Sequence, residues 1–172
     1  TLRTNVALTA NGGTATASST SDTWHPASSA INGDRKGGEW SSNVWAAATA
    51  TLPQWLRVDF AGAKTVDEID VFAAQSGSTP VVPTSSLTFT QGGLTDFRLE
   101  YWTGTAWAPV SGGTITGNRL VWRQVTFTPI TTTAIRIFIT GTLDGWARVA
   151  ELEVYAPDAT TPPPTTLRTP FW

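Results

Sequence analysis

Several short segments of this chain alternate apolar and polar residues with a period of two. In the segment 54–60 (QWLRVDF), single polar residues separate Leu56, Val58 and Phe60. Successive side chains of a strand point to opposite faces, so this spacing predicts a strand with one buried face. The same alternation occurs in the segments 65–74, 94–102, 119–129, 133–140 and 148–156. No helical spacing of 3.6 residues competes with it, which restricts the chain to an all-β sandwich or barrel.

The composition agrees with a β-rich extracellular protein. A chain of 172 residues is long enough for one well-filled core. It contains no cysteine, which excludes a disulfide framework, thiolate catalysis and cysteine-bound metals. Its net charge is -2 and its basic residues are scattered, so we expect no nucleic-acid partner. No apolar run approaches the roughly 20 residues of a transmembrane segment, and we expect a secreted or cell-surface location.

The chain divides into a folded domain and a tail. Residues 1–156 carry the predicted strands, joined by the long loops 20–54, 75–93 and 140–147, and loops of that length are usually functional. Residues 157–172 are rich in threonine and proline, which predicts an extended linker or tail. This tail repeats the TLRT of residues 1–4 and ends in an apolar tip.

Five segments, taken in order, resemble a discoidin domain, the type C module of coagulation factors. They are ASSAINGDRKGGEWSS, PQWLRVDF, KTVDEIDVF, LTDFRLEYWTGTAWAPV and RVAELEVY. The resemblance covers about residues 5–156 and extends to the family 32 carbohydrate-binding modules. It implies a jelly-roll β-sandwich of about eight mainly antiparallel strands, with long loops at one end. It also implies a non-catalytic domain that binds its ligand at those loops.

The resemblance further implies a calcium site in the first long loop. It aligns Asn32 and Asp34 with the family's calcium loop and Glu151 with its acidic partner from the last strand. Backbone carbonyls near Ala30 and Gly37 would complete the six to eight oxygen ligands that calcium takes. The loop lacks the spacing of an EF-hand or a phosphate-binding loop. The alternative is a metal-free loop held by Asx-turns and an Arg–Glu ion pair.

Nine tryptophans favour a sugar-binding function, because pyranose rings stack on aromatic faces. The resemblance places Trp40, Trp55 and Trp107 where the family buries an aromatic residue. The candidates for ligand binding are therefore tryptophans on other predicted loops.

Five loop residues are the candidate ligand-binding set. Trp24, Trp45 and Trp146 lie on predicted loops, where an exposed indole is rarely left in water without a purpose. His25, the one histidine of the chain, follows Trp24, and Asp144 precedes Trp146 by two residues. Their polar groups are suited to hydroxyl hydrogen bonds, although Asp144 could instead cap its turn and Trp45 could equally plug the base of its loop.

The sequence does not predict an enzyme. A glycosidase requires two carboxylates on either side of a cleft, whereas Asp67, Glu68 and Asp70 have the pattern of a solvated strand face. Glu151 already has a predicted role, and no nucleophile motif accompanies His25.

Two functions remain open. The first is a secreted, lectin-like module that binds glycans. The second is a self-assembling subunit of an extracellular filament, sheath or surface layer, whose tail docks on another copy of the chain. The candidate assembly residues are Thr166, Leu167, Arg168, Phe171 and Trp172. Phospholipid binding is disfavoured because the chain has no basic cluster.

Overall fold

A computed structural model describes residues 3–157 of the chain. Within this range the helical elements are two short 3-10 helices, Thr9–Asn11 and Ala27–Ile31. The strands are β1 (Thr14–Ala17), β2 (Trp45–Ala46), β3 (Gln54–Ala73), β4 (Leu94–Trp102), β5 (Trp107–Ile115), β6 (Trp122–Thr142) and β7 (Arg148–Tyr155). The predicted all-β class is confirmed. The described range does not include the candidate assembly residues, which are Thr166, Leu167, Arg168, Phe171 and Trp172.

Two long strands organise the sheet. The strands are hydrogen-bonded in the order β2-β7-β3-β6-β4-β5, and β1 also pairs with β3. β3 and β6 pair along most of their length, with a shift of register between Asp59 and Lys64. The first half of β3 joins β1, β4, β5 and the second half of β6 in a first layer. The second half of β3 joins β2, β7 and the first half of β6 in a second layer.

One hydrophobic core lies between these two layers. Leu56 and Val58 from the first half of β3 and Ile69 and Val71 from its second half are each at most 1% exposed. All four belong to the same cluster of buried side chains, which removes the alternating apolar face from water. The predicted β-sandwich is thereby confirmed. The segments predicted as separate strands at 54–60 and 65–74 form one continuous strand.

The outer face of the second layer is also buried, which corrects the prediction from the sequence. Asp67, Glu68 and Asp70 were expected to form a solvated face, but Glu68 and Asp70 are only 7% and 2% exposed. Arg3 covers this face by pairing with Asp67 and Glu68, and Arg35 reaches it from the first long loop. Alternation identifies the side chains that share a face, but it does not identify the segment that covers that face.

The long loops meet at one end of the sandwich. They span residues 18–53, which include β2, together with 74–93 and 143–147. The second loop is joined to the first by a hydrogen bond from Gln75 N to Gly37 O at 2.7 Å. The third is joined to the first by a hydrogen bond from Ala47 N to Ala147 O at 2.9 Å. These backbone contacts form a single surface from three separate parts of the sequence.

The two ends of the described chain lie side by side, away from the loops. β7 begins at the loop end with Arg148 and finishes at Tyr155, a distance of about 23 Å at the usual rise per residue. Beyond Tyr155, the carbonyl of Ala156 accepts a hydrogen bond from Arg3 Nη2 at 2.7 Å. Among residues 3–157 no helix has the length and hydropathy needed to span a membrane.

Candidate functional site

The meeting point of the loops contains a cavity of about 400 Å³, which we call the loop-end cavity. Its walls come from the first long loop, which includes β2, from the third long loop and from the start of β7. The lining residues are Ser21, His25, Glu39, Trp40, Ala46, Trp146 and Arg148. Of the sequence-predicted ligand residues, the cavity therefore brings together His25 and Trp146.

The two-residue strand β2 positions the floor of the cavity. Ala46 pairs with Arg148 in β7. On its other side, the carbonyl of Ala46 accepts a hydrogen bond from Ser21 N at 2.9 Å, and Ala46 N donates to the carbonyl of His25 at 3.4 Å. His25 and Arg148 therefore lie on opposite sides of Ala46, a small apolar residue.

Asp22 fixes the orientation of His25. Its Oδ1 accepts the backbone N–H of Trp24 at 2.8 Å and lies 2.8 Å from His25 Nδ1. The hydrogen bond with His25 holds the pKa of the Asp22 carboxyl below its usual value. Since Nδ1 is engaged by the carboxylate, Nε2 is the ring nitrogen that can contact a ligand in the cavity.

Asp144 has a positioning role. Its Oδ1 accepts the backbone N–H of Trp146 at 3.0 Å, which caps the turn before β7. Its Oδ2 accepts Arg148 Nη1 at 2.8 Å. The sequence left open whether Asp144 meets ligand or caps its turn. The structure shows the cap and adds the ion pair with Arg148, and Asp144 is not among the residues that line the cavity.

Glu39 and Arg148 approach each other over a glycine. Glu39 is only 9% exposed, and its Oε1 accepts a hydrogen bond from Gly77 N at 3.2 Å. A β-carbon at Gly92 would lie 2.6 Å from Glu39 Oε2 and 3.3 Å from Arg148 Nη1, so only glycine leaves room for both side chains. A carboxylate and a guanidinium thus face the same cavity and offer an acceptor and several donors.

Two tryptophans form the aromatic part of the cavity. Trp40 is 75% exposed on the turn closed by the hydrogen bond from Ser41 N to Gly38 O at 3.0 Å. The prediction that Trp40 is buried is therefore wrong. Trp146 is partly buried and lines the same cavity. A broad exposed ring beside a partly buried one is suited to stacking on a flat, partly apolar ligand.

The other two candidate tryptophans lie outside the cavity. Trp45 is 0% exposed, and its Nε1 donates to the carbonyl of Ser19 at 3.0 Å, so its predicted role in ligand stacking is wrong. It forms part of β2, where its side chain faces the core. Trp24 is 73% exposed but does not line the cavity.

Glu39, Trp40 and Arg148 are the residues that the sequence did not single out. A signal was available for Arg148, which follows Asp144 by four residues at the end of a glycine-containing turn. A second signal was the sequence Glu39-Trp40 within a loop unusually rich in charge and glycine. Exposure of Trp40 depends on the turn that carries it, which the local pattern does not determine.

The arrangement is suited to binding a ligand. Aromatic surface with a few convergent polar groups is the usual composition of a ligand site. A glycosidase requires a pair of carboxylates about 5–10 Å apart on either side of the scissile bond. Among the residues that line this cavity, all from the described part of the chain, Glu39 is the one carboxylate.

The predicted calcium loop lies beside the cavity, against β7. Gly33 N donates to Glu151 Oε1 at 2.9 Å, which brings the loop onto the last strand as the resemblance implies. The second oxygen, Oε2, is buried and has no hydrogen-bond partner among residues 3–157. Burial, with the negative charges of Glu153 and Asp34 nearby, raises the pKa of Glu151 to about 9. A buried carboxylate oxygen without a partner is chemically suited to a cation.

The loop also presents backbone oxygens. The carbonyls of Asp34 and Lys36 both accept hydrogen bonds from Asn43 Nδ2, at 3.4 and 2.6 Å. Both carbonyls are therefore directed at one donor, the amide nitrogen of Asn43, which a cation would have to displace. The carbonyl of Gly37 instead accepts a hydrogen bond from Gln75 N, and it is directed towards that loop.

Few other side chains of the loop could act as acidic ligands for a cation. Asn32 Oδ1 accepts Asp34 N at 2.9 Å, and Ala30 is buried within its 3-10 helix. The described residues contain no cluster of three or more acidic or histidine side chains that could hold a metal. A cation would thus depend on Asp34, Glu151, the side-chain oxygen of Asn32 and main-chain oxygens, a ligand set that fits calcium better than a transition metal.

Solved structures resemble the chain over most of its length. The family 32 carbohydrate-binding module of NanJ from Clostridium perfringens, in complex with galactose, is 28% identical, with a TM-score of 0.65. The match covers 90% of this chain and 99% of that module. Chitosan-binding module 1 of a chitosanase/glucanase from Paenibacillus sp. IK-5 is 25% identical, with a TM-score of 0.66. That match covers 89% of this chain and 99% of that one.

The sequence comparisons identify the family. A comparison with curated protein sequences found no match. The family model described as F5/8 type C domain matches residues 14–152, which include every strand of the sandwich except the end of β7. The fold of the solved relatives agrees with that match. The chain therefore belongs to the F5/8 type C, or discoidin, domain family.

Proposed function

We propose that the chain is a non-catalytic, lectin-like carbohydrate-binding module of a secreted or cell-surface protein. The observation that carries this proposal is the loop-end cavity, where Trp40 and Trp146 lie beside Glu39, Arg148 and His25. The NanJ module is in complex with galactose, and the Paenibacillus module binds chitosan, which supports a glycan as the class of ligand.

A pyranose ring has an apolar C–H face and polar hydroxyls around its edge. The cavity offers aromatic rings to the first and charged side chains to the second. The C–H face of the sugar stacks on the indole of Trp40. Its hydroxyls donate to the Glu39 carboxylate and accept from the Arg148 guanidinium, and these charge-assisted hydrogen bonds fix the orientation of the ring. His25 Nε2 supplies a further polar contact. Because the site is small and open, strong attachment requires several modules or several sugars at once.

The proposal is tested by calorimetric titration of the chain with galactose, N-acetylgalactosamine and chitooligosaccharides. We expect Trp40→Ala to raise Kd by about tenfold or more for the sugar that binds, because the stacking surface is lost. Trp24→Ala is the matched control, since it removes an equally exposed tryptophan of the same loop that does not line the cavity. Equal losses in the two variants would contradict a site at the loop-end cavity.

We also propose that the loop 32–36 holds a structural calcium ion. Asp34, Glu151 and the side-chain oxygen of Asn32 would hold it, together with the main-chain oxygens of the loop. When bound, calcium would balance the buried charge of Glu151. It would also fix the loop that leads directly into Glu39 and Trp40. The unpartnered Glu151 Oε2 is the observation that supports this proposal.

A further inference from the structure

The outer face of the first layer carries an aromatic and cationic cluster that the loop-end cavity does not use. Trp55, Arg57, Trp107 and Arg136 line a small notch of about 80 Å³ on this face, which we call the sheet-face notch. All four residues are partly exposed. Trp55 and Trp107 are thus only partly buried, where the resemblance implied buried aromatic residues. None of the four lines the loop-end cavity.

Two guanidinium groups face each other across this notch. Arg57 in β3 is the direct cross-strand partner of Arg136 in β6. Both lie over the indole of Trp107, with distances of 5.3 and 4.7 Å from the guanidinium carbon to the ring centroid. Like charges directly opposite each other on a sheet are destabilising. An anion bound between the two guanidiniums would reduce this repulsion.

The nearby carboxylates balance the two arginines unequally. Asp59 accepts two hydrogen bonds from Arg57, at 2.9 and 2.7 Å. Glu100 approaches Arg136 less closely, at 3.4 and 3.5 Å, and Arg136 Nε has no hydrogen-bond partner among the described residues. Arg98 adds a third positive charge to this face. Arg98 and Arg136 thus share one carboxylate, Glu100, while Arg57 has Asp59 to itself.

We propose that the sheet-face notch is a second binding site, specific for an acidic polysaccharide that carries uronate carboxylates. The carboxylate of one sugar binds between Arg57 and Arg136 and accepts hydrogen bonds from the guanidinium N–H groups that Asp59 and Glu100 do not use. The ring of the same or a neighbouring sugar stacks on Trp55. A long, flat sheet face suits a polymer, whereas the loop-end cavity suits one or two sugars.

The experiment measures binding of the whole chain to polygalacturonate by calorimetry in 50 mM and 500 mM NaCl, with the carboxyl-reduced polymer as the neutral comparison. We expect binding of the acidic polymer at low salt and weaker binding at high salt, and little binding of the reduced polymer to Trp40→Ala, in which the loop-end cavity is disabled. Binding of the acidic polymer should persist in Trp40→Ala. Failure of the loop-end cavity as a glycan site would therefore leave this result intact.

Two variants and a control locate the site. The double variant Arg57→Gln/Asp59→Asn removes the guanidinium while keeping the net charge, and we expect about a tenfold rise in Kd. Trp55→Ala should weaken binding similarly if its ring stacks on the polymer. Arg98→Gln removes a positive charge from the same face outside the notch, and its effect should be about twofold or less. Circular dichroism and thermal melting confirm that each variant is folded.

Two results would overturn the proposal. The first is the absence of polygalacturonate binding at 50 mM NaCl. The second is binding that Arg98→Gln weakens as much as the double variant does, because this would show general charge attraction without a site. A cluster that only stabilises the sheet would give lower melting temperatures in the notch variants with no polymer binding in the wild type.

Discussion

Asp22 and Asp144 act on the loop-end cavity through the side chains that they hold. Each accepts backbone N–H groups of its own turn and also binds a polar side chain that lines the cavity, His25 in one case and Arg148 in the other. Positioning of this kind reduces the conformational entropy that a ligand contact must overcome. The sequence analysis identified Asp144 as either a ligand contact or a turn cap. In the structure it caps the turn and binds Arg148, which lines the cavity.

Asp70 gives a testable dependence of stability on pH. Burial, with Glu68 on the same strand and Glu153 on β7, raises the pKa of Asp70 to about 8 from its ordinary value of 3.8. From β6, the indole of Trp122 donates to Asp70 Oδ2 at 3.3 Å. The nearby cations are Arg35, paired with Glu153, and Arg3, paired with Glu68.

The sign follows from proton binding. Between about pH 4 and 8 the folded state holds a proton at Asp70 that the unfolded chain releases, so the free energy of unfolding falls as pH rises. We expect the melting temperature to decline across this window at a fixed calcium concentration. Asp70→Asn should make the decline shallower, with the contribution of Glu151 remaining, and should raise the melting temperature at pH 8. A wild-type melting temperature that rises from pH 5 to 8 would contradict this assignment.

The tryptophans show what residue-level prediction from the sequence can and cannot do. The sequence correctly placed Trp146 beside a turn that leads into the last strand. It exchanged the roles of Trp40 and Trp45, because both lie in a loop with no regular alternation. Trp45 is buried because β2 pairs with β7 over two residues, and Trp40 is exposed because it lies on the turn at 38–41. Neither feature produces a periodic pattern in the sequence.

At the scale of elements, the loop 32–36 and β7 form the unit that calcium should stabilise. If calcium is present at about a hundred times its Kd, the free energy of unfolding should rise by about 2.7 kcal/mol, or about 8 °C in melting temperature. The measurement compares thermal unfolding in calcium and in chelator. Glu151→Gln should abolish the difference, and magnesium should not replace calcium. Identical melting curves for the wild type in both conditions would contradict the calcium proposal.

Alternation predicted the elements well where one face of a strand is covered by the core. The inward positions Leu56, Val58 and Phe60 are buried as expected. The same pattern failed for the outward face of the second layer, because Arg3 and Arg35 come from distant segments to cover it. The length of β3 was also missed, since the bend near Lys64 resembles a turn in the sequence.

At the scale of the whole molecule, we expect the tail to have no effect on sugar binding in the loop-end cavity. Tyr155 ends β7 about 23 Å from the loop end, so we expect removal of residues 160–172 to leave the Kd for the bound sugar unchanged. Calorimetry on the truncated chain checks this expectation. The assembly hypothesis stays a prediction with its own readout, which is the molar mass from light scattering. Large assemblies that disappear on truncation would support it, and a monomer in both forms would contradict it.

The course of β7 determines how this domain would carry a mechanical load. Arg148 at one end of the strand lines the cavity, and the chain continues past Tyr155 at the other end. A glycan held in the cavity and a tether attached beyond Pro157 would pull along this strand in opposite directions. The backbone hydrogen bonds between β7 and β3 would then be loaded in parallel, as in shear, and would have to break together. Attachment under flow or tension would therefore be limited by release of the sugar, before the sandwich itself opens.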